Sequence, residues 1–336
     1  MSLMTEYGAY SGAWLMAQTF PPTEYVVDGL IPEGLTYIIA APKIGKSWMV
    51  LDLAIAVSQV SPFLGAIPVK SRPVLYLALE DGPKRMQNRA HGLDCLTLPE
   101  NIAFVHRVKS DDATALMSEF ADYYAGQRPL IILDTLGKIK PPKAPGAGAY
   151  EHDYAVSAAL KDVADRADGS VVVVHHNRKA GSDDFLEDVS GTQGIAGAAD
   201  TIIVIRRSRN SPEAELHVTS RDAAEGAYAA RFDDGKWTLA GADLAQAAQV
   251  YGQQREQKGL GDDSAEVLAF VGSRPDGVRA ADVAERMGWE PNKARTYLSR
   301  LNESGKITKS GRGLYTRVAN VASVASADTE EMQDES

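Results

Sequence analysis

Residues 36–57 read TYIIAAPKIGKSWMVLDLAIAV, and this stretch decides the fold of the chain. Residues 36–40 are a short apolar run of β-favouring residues, and residues 41–45 form a loop that contains proline and glycine. Apolar residues then recur at helical spacing, at Met49, Val50, Leu53, Ala54 and Val57. A strand, a loop and a helix with Gly-Lys-Ser at the last junction are typical of a phosphate-binding P-loop.

This loop predicts how phosphate groups are held. Backbone N–H groups and the positive end of the helix dipole meet phosphate oxygens there. Gly45 lets the backbone approach, Lys46 reaches the β- and γ-phosphates, and the Ser47 hydroxyl ligates magnesium. Ala40 stands where the motif has its first glycine, and a chance Gly-Lys-Ser at a helix start is the alternative interpretation. The predicted nucleotide contacts are Ala40, Ala41, Pro42, Lys43, Ile44, Gly45, Lys46, Ser47 and Trp48.

Two predicted buried strands end in acidic residues. Residues 73–79 are a continuous apolar run followed by Glu80 and Asp81, and residues 130–133 are followed by Asp134. Ligands of open α/β sheets bind at the carboxyl ends of strands. Glu80 is therefore predicted to activate a water against a γ-phosphate, and Asp134 to face the magnesium shell. An acidic turn, or a helix cap at Asp81, is the alternative for the first pair.

A third strand, over residues 170–174, is followed directly by His175 and His176. Adjacent strand residues point to opposite faces, and no carboxylate or third histidine lies at a helpful spacing, so a metal site is disfavoured. A polar sensor that hydrogen-bonds the γ-phosphate or its attacking water fits this position better.

Two segments rich in glycine and basic residues interrupt the strands. Residues 137–152 are predicted to be a mobile loop, and residues 179–197 a second flexible segment. Contact with a polyanion and a solvated linker are both open interpretations of the first segment. The basic residues are Lys138, Lys140, Lys143, Arg178 and Lys179. A further strand over residues 198–206 ends in a basic cluster of Arg206, Arg207 and Arg209.

The composition is typical of a globular protein, with 44% hydrophobic and 24% charged residues among 336. The net charge of −10 repels nucleic acid in bulk, so any nucleic-acid binding requires local basic surfaces. Cys95 is the single cysteine, which excludes a disulfide framework and a cysteine-based zinc site. No apolar run approaches the ~18 residues of a membrane span, and a cytoplasmic location is expected.

The carboxyl-terminal third predicts a second, smaller domain. Three helices and a hairpin over residues 263–318 are the pattern of a winged helix-turn-helix. A DNA-binding module and a protein-docking block are both open. Its candidate DNA contacts are Lys293, Arg295, Arg300 and Arg312. The predicted layout is a nucleotide-binding domain over 1–240 with a lead-in over 1–34, a linker over 241–262, the winged helix, and an acidic, disordered tail over 319–336.

As a set, these motifs resemble the RecA-like hexameric ATPases of helicase superfamily four, especially the RepA-type plasmid helicases and the DnaB-like proteins of phages. The resemblance covers residues 30–207. It implies an α/β fold with a RecA-like P-loop NTPase core and a mostly parallel sheet, with ATP and Mg²⁺ as cofactors. It also implies Glu80 as catalytic base, Asp134 as the Walker B carboxylate and a sensor at residues 175–177. Arg206 or Arg207 would be an arginine finger that reaches the neighbouring subunit's nucleotide.

The leading hypothesis is a phage or plasmid replicative DNA helicase. It would be a homo-oligomeric ring, by resemblance a hexamer, that acts on single-stranded DNA with a loader or initiator as partner. The sequence shows no primase-binding domain of the DnaB kind, which leaves loader, helicase and recombination roles open. The alternatives are an ATP-switched DNA-binding regulator and a RecA-like recombination mediator that forms filaments.

Overall fold

The structure is a computed structural model that describes residues 8–142, 146, 148–176, 193–208, 210–259, 262–311 and 313–317. The chain divides into two units, Met1–Tyr251 and Gly252–Ser336. Several predicted features lie outside the described residues, namely Lys143, Arg178, Lys179, Arg209, Arg312 and the tail over 319–336.

The strands of the first unit form where the sequence carries runs of branched apolar residues, which favour a pleated, buried surface. They are β1 (Tyr25–Val27), β2 (Ile31–Pro32), β3 (Gly34–Ala40), β4 (Val74–Ala78), β5 (Ile102–Val105), β6 (Leu130–Asp134), β7 (Ser170–His176), β8 (Thr201–Arg207), β9 (Glu213–Ser220), β10 (Gly226–Asp233) and β11 (Lys236–Leu239).

One nine-stranded sheet has the order β11-β10-β9-β8-β3-β7-β6-β4-β5. Neighbouring strands from β8 to β5 are parallel, and β9, β10 and β11 continue the sheet as antiparallel strands. The predicted mostly parallel α/β sheet is confirmed. In this register Ala40 lies opposite His176, and Asp134 lies opposite both Val174 and Ala78. The ends of β3, β7, β6 and β4 therefore meet at one edge.

The helices of the first unit cover both faces of this sheet. They are α1 (Gly12–Ala17), α2 (Lys46–Gln59), α3 (Pro83–Gly92), α4 (Ser110–Tyr123), α5 (Leu136–Ile139), α6 (Ala149–Arg166), α7 (Gln193–Ala198) and α8 (Leu244–Gly259). The alternation of strand side chains produces two separate cores. Ile38 packs in one core with residues of α2, and its neighbours Tyr37 and Ile39 pack in the other with residues of α4 and α6.

The β10–β11 hairpin lies next to the P-loop in the fold. Asp234 and Gly235 have positive φ angles of 43° and 83°, which are the backbone values that a tight two-residue hairpin turn requires. The register pairs Phe232 with Trp237, and Trp237 is buried. This hairpin brings both aromatic rings against the loop that precedes α2.

The second unit contains three helices and a three-stranded sheet. The helices are α9 (Asp262–Gly272), α10 (Ala280–Met287) and α11 (Pro291–Glu303), and the strands are β12 (Val278–Arg279), β13 (Ile307–Gly311) and β14 (Leu314–Arg317). The strand order is β12-β14-β13. Val267, Val283 and Leu298 are fully buried and join the three helices in one core.

Two segments differ from the sequence-based expectations. The predicted loop over residues 137–152 is helical at both ends, because α5 buries Leu136 and Ile139 and α6 already begins at Ala149. The segment interpreted as a linker, in which the sequence allows a helix over residues 242–251, contains α8, which continues to Gly259 and buries Ala247 in the core of the first unit. A count of polar residues underestimates how many residues of such segments are helical, since a few small or apolar side chains are enough to pack a helix.

Candidate active site

The loop between β3 and α2 has the geometry of an anion-binding site. Gly45 precedes the helix with a φ of 104°, a left-handed conformation that suits glycine. Any side chain there would collide with Phe232, because a Cβ atom would lie 2.8 Å from ring carbon Cζ. Lys46 and Ser47 begin α2, so its first N–H groups and its dipole face the loop.

The other predicted nucleotide contacts differ in exposure. Pro42 and Lys43 are exposed at the tip of the loop, and Ile44 is buried beneath it. Ala40 is the last residue of β3, so this position needs no left-handed backbone and tolerates alanine. Trp48 points away from the loop tip, and its ring packs against Gly92 and Gly235. Trp48 is therefore placed as a packing residue of α2.

Lys46 is buried and bound at the end of β3. Its Nζ donates to the carbonyl oxygens of Ala40 at 2.6 Å and Ala41 at 2.8 Å, and it lies 3.0 Å from His176 Nδ1. Burial lowers the pKa of Lys46 to about 8, and the nearby carboxylates of Asp134 and Glu80 oppose this shift. The ammonium is held where a phosphate would meet it.

Asp134 ends β6 with a buried carboxyl group. Its Oδ2 accepts a hydrogen bond of 3.1 Å from the Tyr76 hydroxyl, and its Oδ1 has no hydrogen-bond partner among the described residues. Burial raises the pKa of Asp134, and the hydroxyls of Ser47 and Tyr76 oppose this. A buried, unpartnered carboxylate oxygen beside a serine hydroxyl is the donor set that a magnesium ion with its waters and phosphates would complete.

The few protein ligands at this site suit magnesium better than a metal ion that needs a full set of protein ligands. Within the described residues, no group of three or more His, Cys, Asp or Glu side chains could hold a metal ion. Mg²⁺ keeps several waters and usually takes only one or two protein carboxylates together with substrate phosphates. Ser47 and Asp134 are the residues that would hold it, as the sequence predicts.

Glu80 follows β4 and faces the same edge of the sheet. Its Oε1 accepts a hydrogen bond of 3.2 Å from the Thr135 hydroxyl and lies 3.7 Å from His176 Nε2. The Glu80 side chain is 38% exposed, so water reaches it. The structure therefore brings Lys46, Glu80, Asp134 and His176 together at one edge.

The structure separates the two histidines of the predicted sensor. His176 lies on the face of β7 that carries α2, whereas His175 follows Val171 and Val173 on the opposite face. Burial lowers the pKa of His175 to about 4, and the charges of Lys140 and His176 lower it further. Strand alternation turns the His175 side chain away from Lys46 and Glu80, so His176 is the histidine that lies beside them, and the sensor role stays a prediction.

The predicted arginine finger Arg207 is bound to its own P-loop. Its Nε donates to the Ile44 carbonyl at 3.2 Å, and its guanidinium lies 4.7 Å from the Phe232 ring centroid. In the single chain this side chain is held against its own loop, and the finger in trans stays a prediction for Arg207. Arg206 points to the other face of β8 and lies opposite Glu215 in the β8–β9 register.

An acidic residue next to Glu80 has a structural role. Asp81 is buried and pairs with Arg85 at 2.7 Å and with Arg89 of the same helix. The cap of α3 is Gly82, without a side-chain hydrogen bond, so Asp81 does not cap the helix as the alternative interpretation held. The pairing fixes the start of α3 directly after Glu80.

The basic residues predicted to contact DNA fall into two groups. Lys138, Arg295 and Arg300 are exposed. Lys140 instead forms an ion pair with the buried Asp153, and Lys293 pairs with Asp263 at 2.9 Å. Each of these two ammonium groups already donates to a carboxylate that would compete with a phosphate, and the pair of Lys293, whose side chain is 44% exposed, is the weaker of the two.

Three site residues were not identified from the sequence. Tyr76 orients Asp134, Thr135 orients Glu80, and Trp237 donates its Nε1–H to the Gly45 carbonyl at 2.9 Å. Tyr76 lies on the strand that precedes Glu80, and Thr135 directly follows Asp134, so a hydroxyl near each carboxylate in the sequence was the available signal. Trp237 is distant in sequence, and its position depends on the antiparallel pairing of β8 to β11.

Two family models and two curated proteins match parts of this chain. A family model described as AAA domain matches residues 6–182, and a model described as FaeA-like protein matches residues 263–317. Two proteins named DNA repair protein RadA, from Mycobacterium tuberculosis strains CDC 1551 / Oshkosh and ATCC 25618 / H37Rv, are each 25% identical over 184 residues. These matches cover 54% of this chain and 34% of each relative, so the chain spans about a third of their length.

Two solved structures are similar at low sequence identity. One is described as an ATPase domain, with 16% identity, a TM-score of 0.48, and coverage of 62% of this chain and 85% of that chain. The other is described as a DnaB-like replicative helicase and its interactions with primase, with 16% identity, a TM-score of 0.48, and coverage of 70% of this chain and 66% of that chain.

The P-loop, the buried Asp134 and the mostly parallel sheet define a P-loop ATPase fold. The chain belongs to the AAA domain family, whose model matches more than half of it. Nucleotide binding follows from this membership. None of the helices in the described ranges has the length and apolar character that crossing a bilayer requires.

Proposed function

We propose that this protein is a Mg-ATP-hydrolysing DNA motor that acts as a ring on single-stranded DNA, in the manner of a phage or plasmid replicative helicase. The observation that carries the proposal is the convergence of Lys46, Glu80, Asp134 and His176 at the carboxyl ends of adjacent parallel strands. ATP hydrolysis needs a phosphate clamp, a metal ligand and a base for water, and these four side chains supply them.

Each side chain has a defined task. Lys46 would leave the carbonyls of Ala40 and Ala41 and donate to phosphate oxygens, and Ser47 with Asp134 would hold the metal shell. A bound magnesium ion would neutralise charge on the transferred phosphoryl group. Glu80, which is open to solvent and oriented by Thr135, would accept the proton of the attacking water.

Three observations support DNA as the polymer. The exposed Lys138 follows β6 at the edge that carries the nucleotide site. The second unit places Arg295 and Arg300 exposed on α11, and three helices followed by a hairpin are the arrangement of a winged helix-turn-helix. The name of the Mycobacterium relatives also refers to DNA repair. Local basic surfaces of this kind can overcome the net charge of −10.

Assembly into a ring would bring an arginine of the neighbouring subunit to the nucleotide. Arg206 and Arg207 are the predicted candidates for this finger in trans, and Arg207 is bound to its own loop in the single chain. An arginine finger contributes ~10³–10⁵ in rate, so a separated subunit would turn over slowly. Six copies are the expectation from the resemblance to ring helicases, and a loader or initiator would be the partner that opens the ring on DNA.

The test compares Glu80→Gln with wild-type protein. The variant is expected to bind Mg-ATP with unchanged affinity and to lose at least about 100-fold in turnover with single-stranded DNA. Glu119→Gln makes the same chemical change at an exposed position of α4 and is expected to retain wild-type turnover. Unchanged turnover of Glu80→Gln would remove this residue from the chemistry.

The same preparations separate a motor from a switch. A motor shows DNA-stimulated ATP hydrolysis together with displacement of a paired strand. An ATP-switched regulator shows slow turnover and sequence-selective binding of duplex DNA.

The second candidate function, a RecA-like recombination mediator, is favoured by the similarity to the RadA proteins. Electron microscopy with ATP distinguishes it, since a mediator forms filaments and the proposed helicase forms closed rings.

A further inference from the structure

Two carbonyl groups of the P-loop are held by side chains that lie far away in the sequence. The Ile44 carbonyl accepts a hydrogen bond of 3.2 Å from Arg207 Nε, and the Gly45 carbonyl accepts one of 2.9 Å from Trp237 Nε1. These side chains come from β8 and β11, on the antiparallel side of the sheet. The loop is therefore attached to strands that lie more than 150 residues further along the chain.

Both donors are fixed by their own surroundings. Arg207 Nη1 donates to the Ser211 carbonyl at 2.8 Å, and its guanidinium stacks over the Phe232 ring. The Phe232 and Trp237 rings contact each other with centroids 4.9 Å apart. Trp237 is 2% exposed, so this cluster excludes water from the outer side of the loop.

Holding these carbonyls also orients the N–H groups that would face a phosphate. In a planar trans peptide the C=O and N–H bonds point in opposite directions. The Ile44 carbonyl shares its peptide with the Gly45 N–H, and the Gly45 carbonyl shares its peptide with the Lys46 N–H. Carbonyls held on the outer side therefore turn these two N–H groups toward the inside of the loop, where an anion binds.

We propose that Arg207, Phe232 and Trp237 form a brace that acts within one subunit and pre-orients the P-loop for nucleotide. They are positioning residues, because they contact the loop from outside and reach no phosphate themselves. Pre-orientation increases affinity by removing the cost of ordering the loop on binding. The inference rests on the proposed ATPase function, and it replaces the role of a finger in trans that the sequence predicted for Arg207.

The experiment measures the dissociation constant of fluorescent mant-ADP with Mg²⁺ and the kcat and KM for ATP on the full chain. Loss of the Trp237 donor in Trp237→Phe is expected to raise Kd about threefold, since the Gly45 carbonyl still accepts from the N–H groups of Trp48 and Met49. Arg207→Ala is expected to raise Kd about tenfold or more, because it removes a charged donor. Arg207→Lys, which keeps one charged donor, should recover part of this loss.

Two controls separate the brace from general destabilisation. Trp237→Phe retains an aromatic contact with Phe232 but leaves a cavity in the core, so its melting temperature is expected to fall by a few degrees, and Kd is measured well below that temperature, where the variant is folded. Arg231→Ala removes an exposed arginine from the same hairpin and should leave Kd unchanged. Under the brace hypothesis, kcat at saturating ATP stays within about threefold of wild type in all variants, and the effect falls on Kd and KM.

The opposite pattern would overturn the brace. If Arg207 acts in trans, Arg207→Ala leaves the Kd for mant-ADP unchanged and lowers kcat by ~10³ or more. Unchanged Kd in both Trp237→Phe and Arg207→Ala would also remove the brace. A different result is that the variants show the expected Kd values while DNA does not stimulate hydrolysis by wild-type protein. That result would reject the motor and support the brace.

Discussion

The ammonium of Lys46 lies 3.0 Å from Nδ1 of His176, and the other ring nitrogen of this histidine faces Glu80 Oε1 at 3.7 Å. A lysine ammonium can only donate, so Nδ1 is the acceptor and we infer that the neutral ring carries its proton on Nε2. The imidazole therefore lies between the residue that would bind phosphate and the residue that would activate water, with a hydrogen bond to Lys46 and a longer approach to Glu80.

Replacing His176 is expected to uncouple these two residues. His176→Asn keeps an acceptor for Lys46 and loses the contact with Glu80, so kcat should fall about tenfold or more while the Kd for ATP stays near wild type. His176→Ala loses both contacts and should change both quantities. His175→Asn, on the other face of β7, is expected to change kcat less than about threefold. An unchanged kcat in His176→Asn would contradict the coupling.

Tyr76 is expected to control the magnesium requirement through Asp134. Tyr76→Phe leaves Oδ2 of Asp134 without its donor, which should raise the Mg²⁺ concentration for half-maximal ATPase about 3- to 10-fold and cost about 1–2 kcal/mol of stability. Tyr37→Phe is the matched control, because it removes a buried hydrogen bond of 2.8 Å to Ser157 on the other face of the sheet. That variant should lose stability and keep its Mg²⁺ dependence. Equal Mg²⁺ curves for both variants would rule out the role of Tyr76.

The half-buried carboxyl of Asp52 on α2 predicts a pH dependence of stability. Burial raises its pKa from 3.8 to about 6, opposed by a hydrogen bond from the Leu64 backbone. The native state then holds this proton more tightly than the unfolded chain, so the free energy of unfolding falls as pH rises from about 4 to about 6.

Asp52→Asn keeps an oxygen for the Leu64 N–H and removes the buried charge. It should raise the free energy of unfolding at pH 7 by about 1–3 kcal/mol and flatten the slope between about pH 4 and 6. Urea unfolding at a series of pH values measures both effects. Asp28→Asn, at an exposed position, should leave the slope as it is in wild type. A slope in Asp52→Asn equal to that of wild type would show that another group causes it.

Much of the site could be predicted because its residues stand at the ends of apolar runs. Lys46, Glu80 and Asp134 each follow such a run, and parallel strands bring their carboxyl ends to one edge. The alternation of side chains along β7 also predicts that only one histidine of the pair can face α2. Local sequence was sufficient to predict the position of a residue that follows its strand closely in the chain.

The partners of the charged residues could not be predicted in the same way. Arg207 reaches Ile44 only because β8 lies beside β3 and the hairpin supplies Phe232, and Lys140 meets Asp153 only because α6 begins earlier than expected. These contacts depend on register and helix limits, which a single sequence determines poorly. The sequence therefore could not show which of its basic residues already pair with a carboxylate, as Lys140 does with Asp153.

The second unit offers a direct test of which basic residues contact DNA. Arg300 is exposed on α11, whereas the Lys293 ammonium pairs with Asp263 and lies 3.9 Å from the Trp289 ring centroid. Arg300→Ala should weaken DNA binding and reduce the salt slope of log Kobs by about 1, with the melting temperature unchanged. Lys293→Ala removes the same charge, so it serves as the matched control, and it should lower the melting temperature and keep the salt slope. Fluorescence anisotropy of labelled DNA at several salt concentrations, measured with the full chain, gives the salt slope of each variant. Equal salt slopes for Arg300→Ala, Lys293→Ala and wild type would remove α11 from the DNA interface.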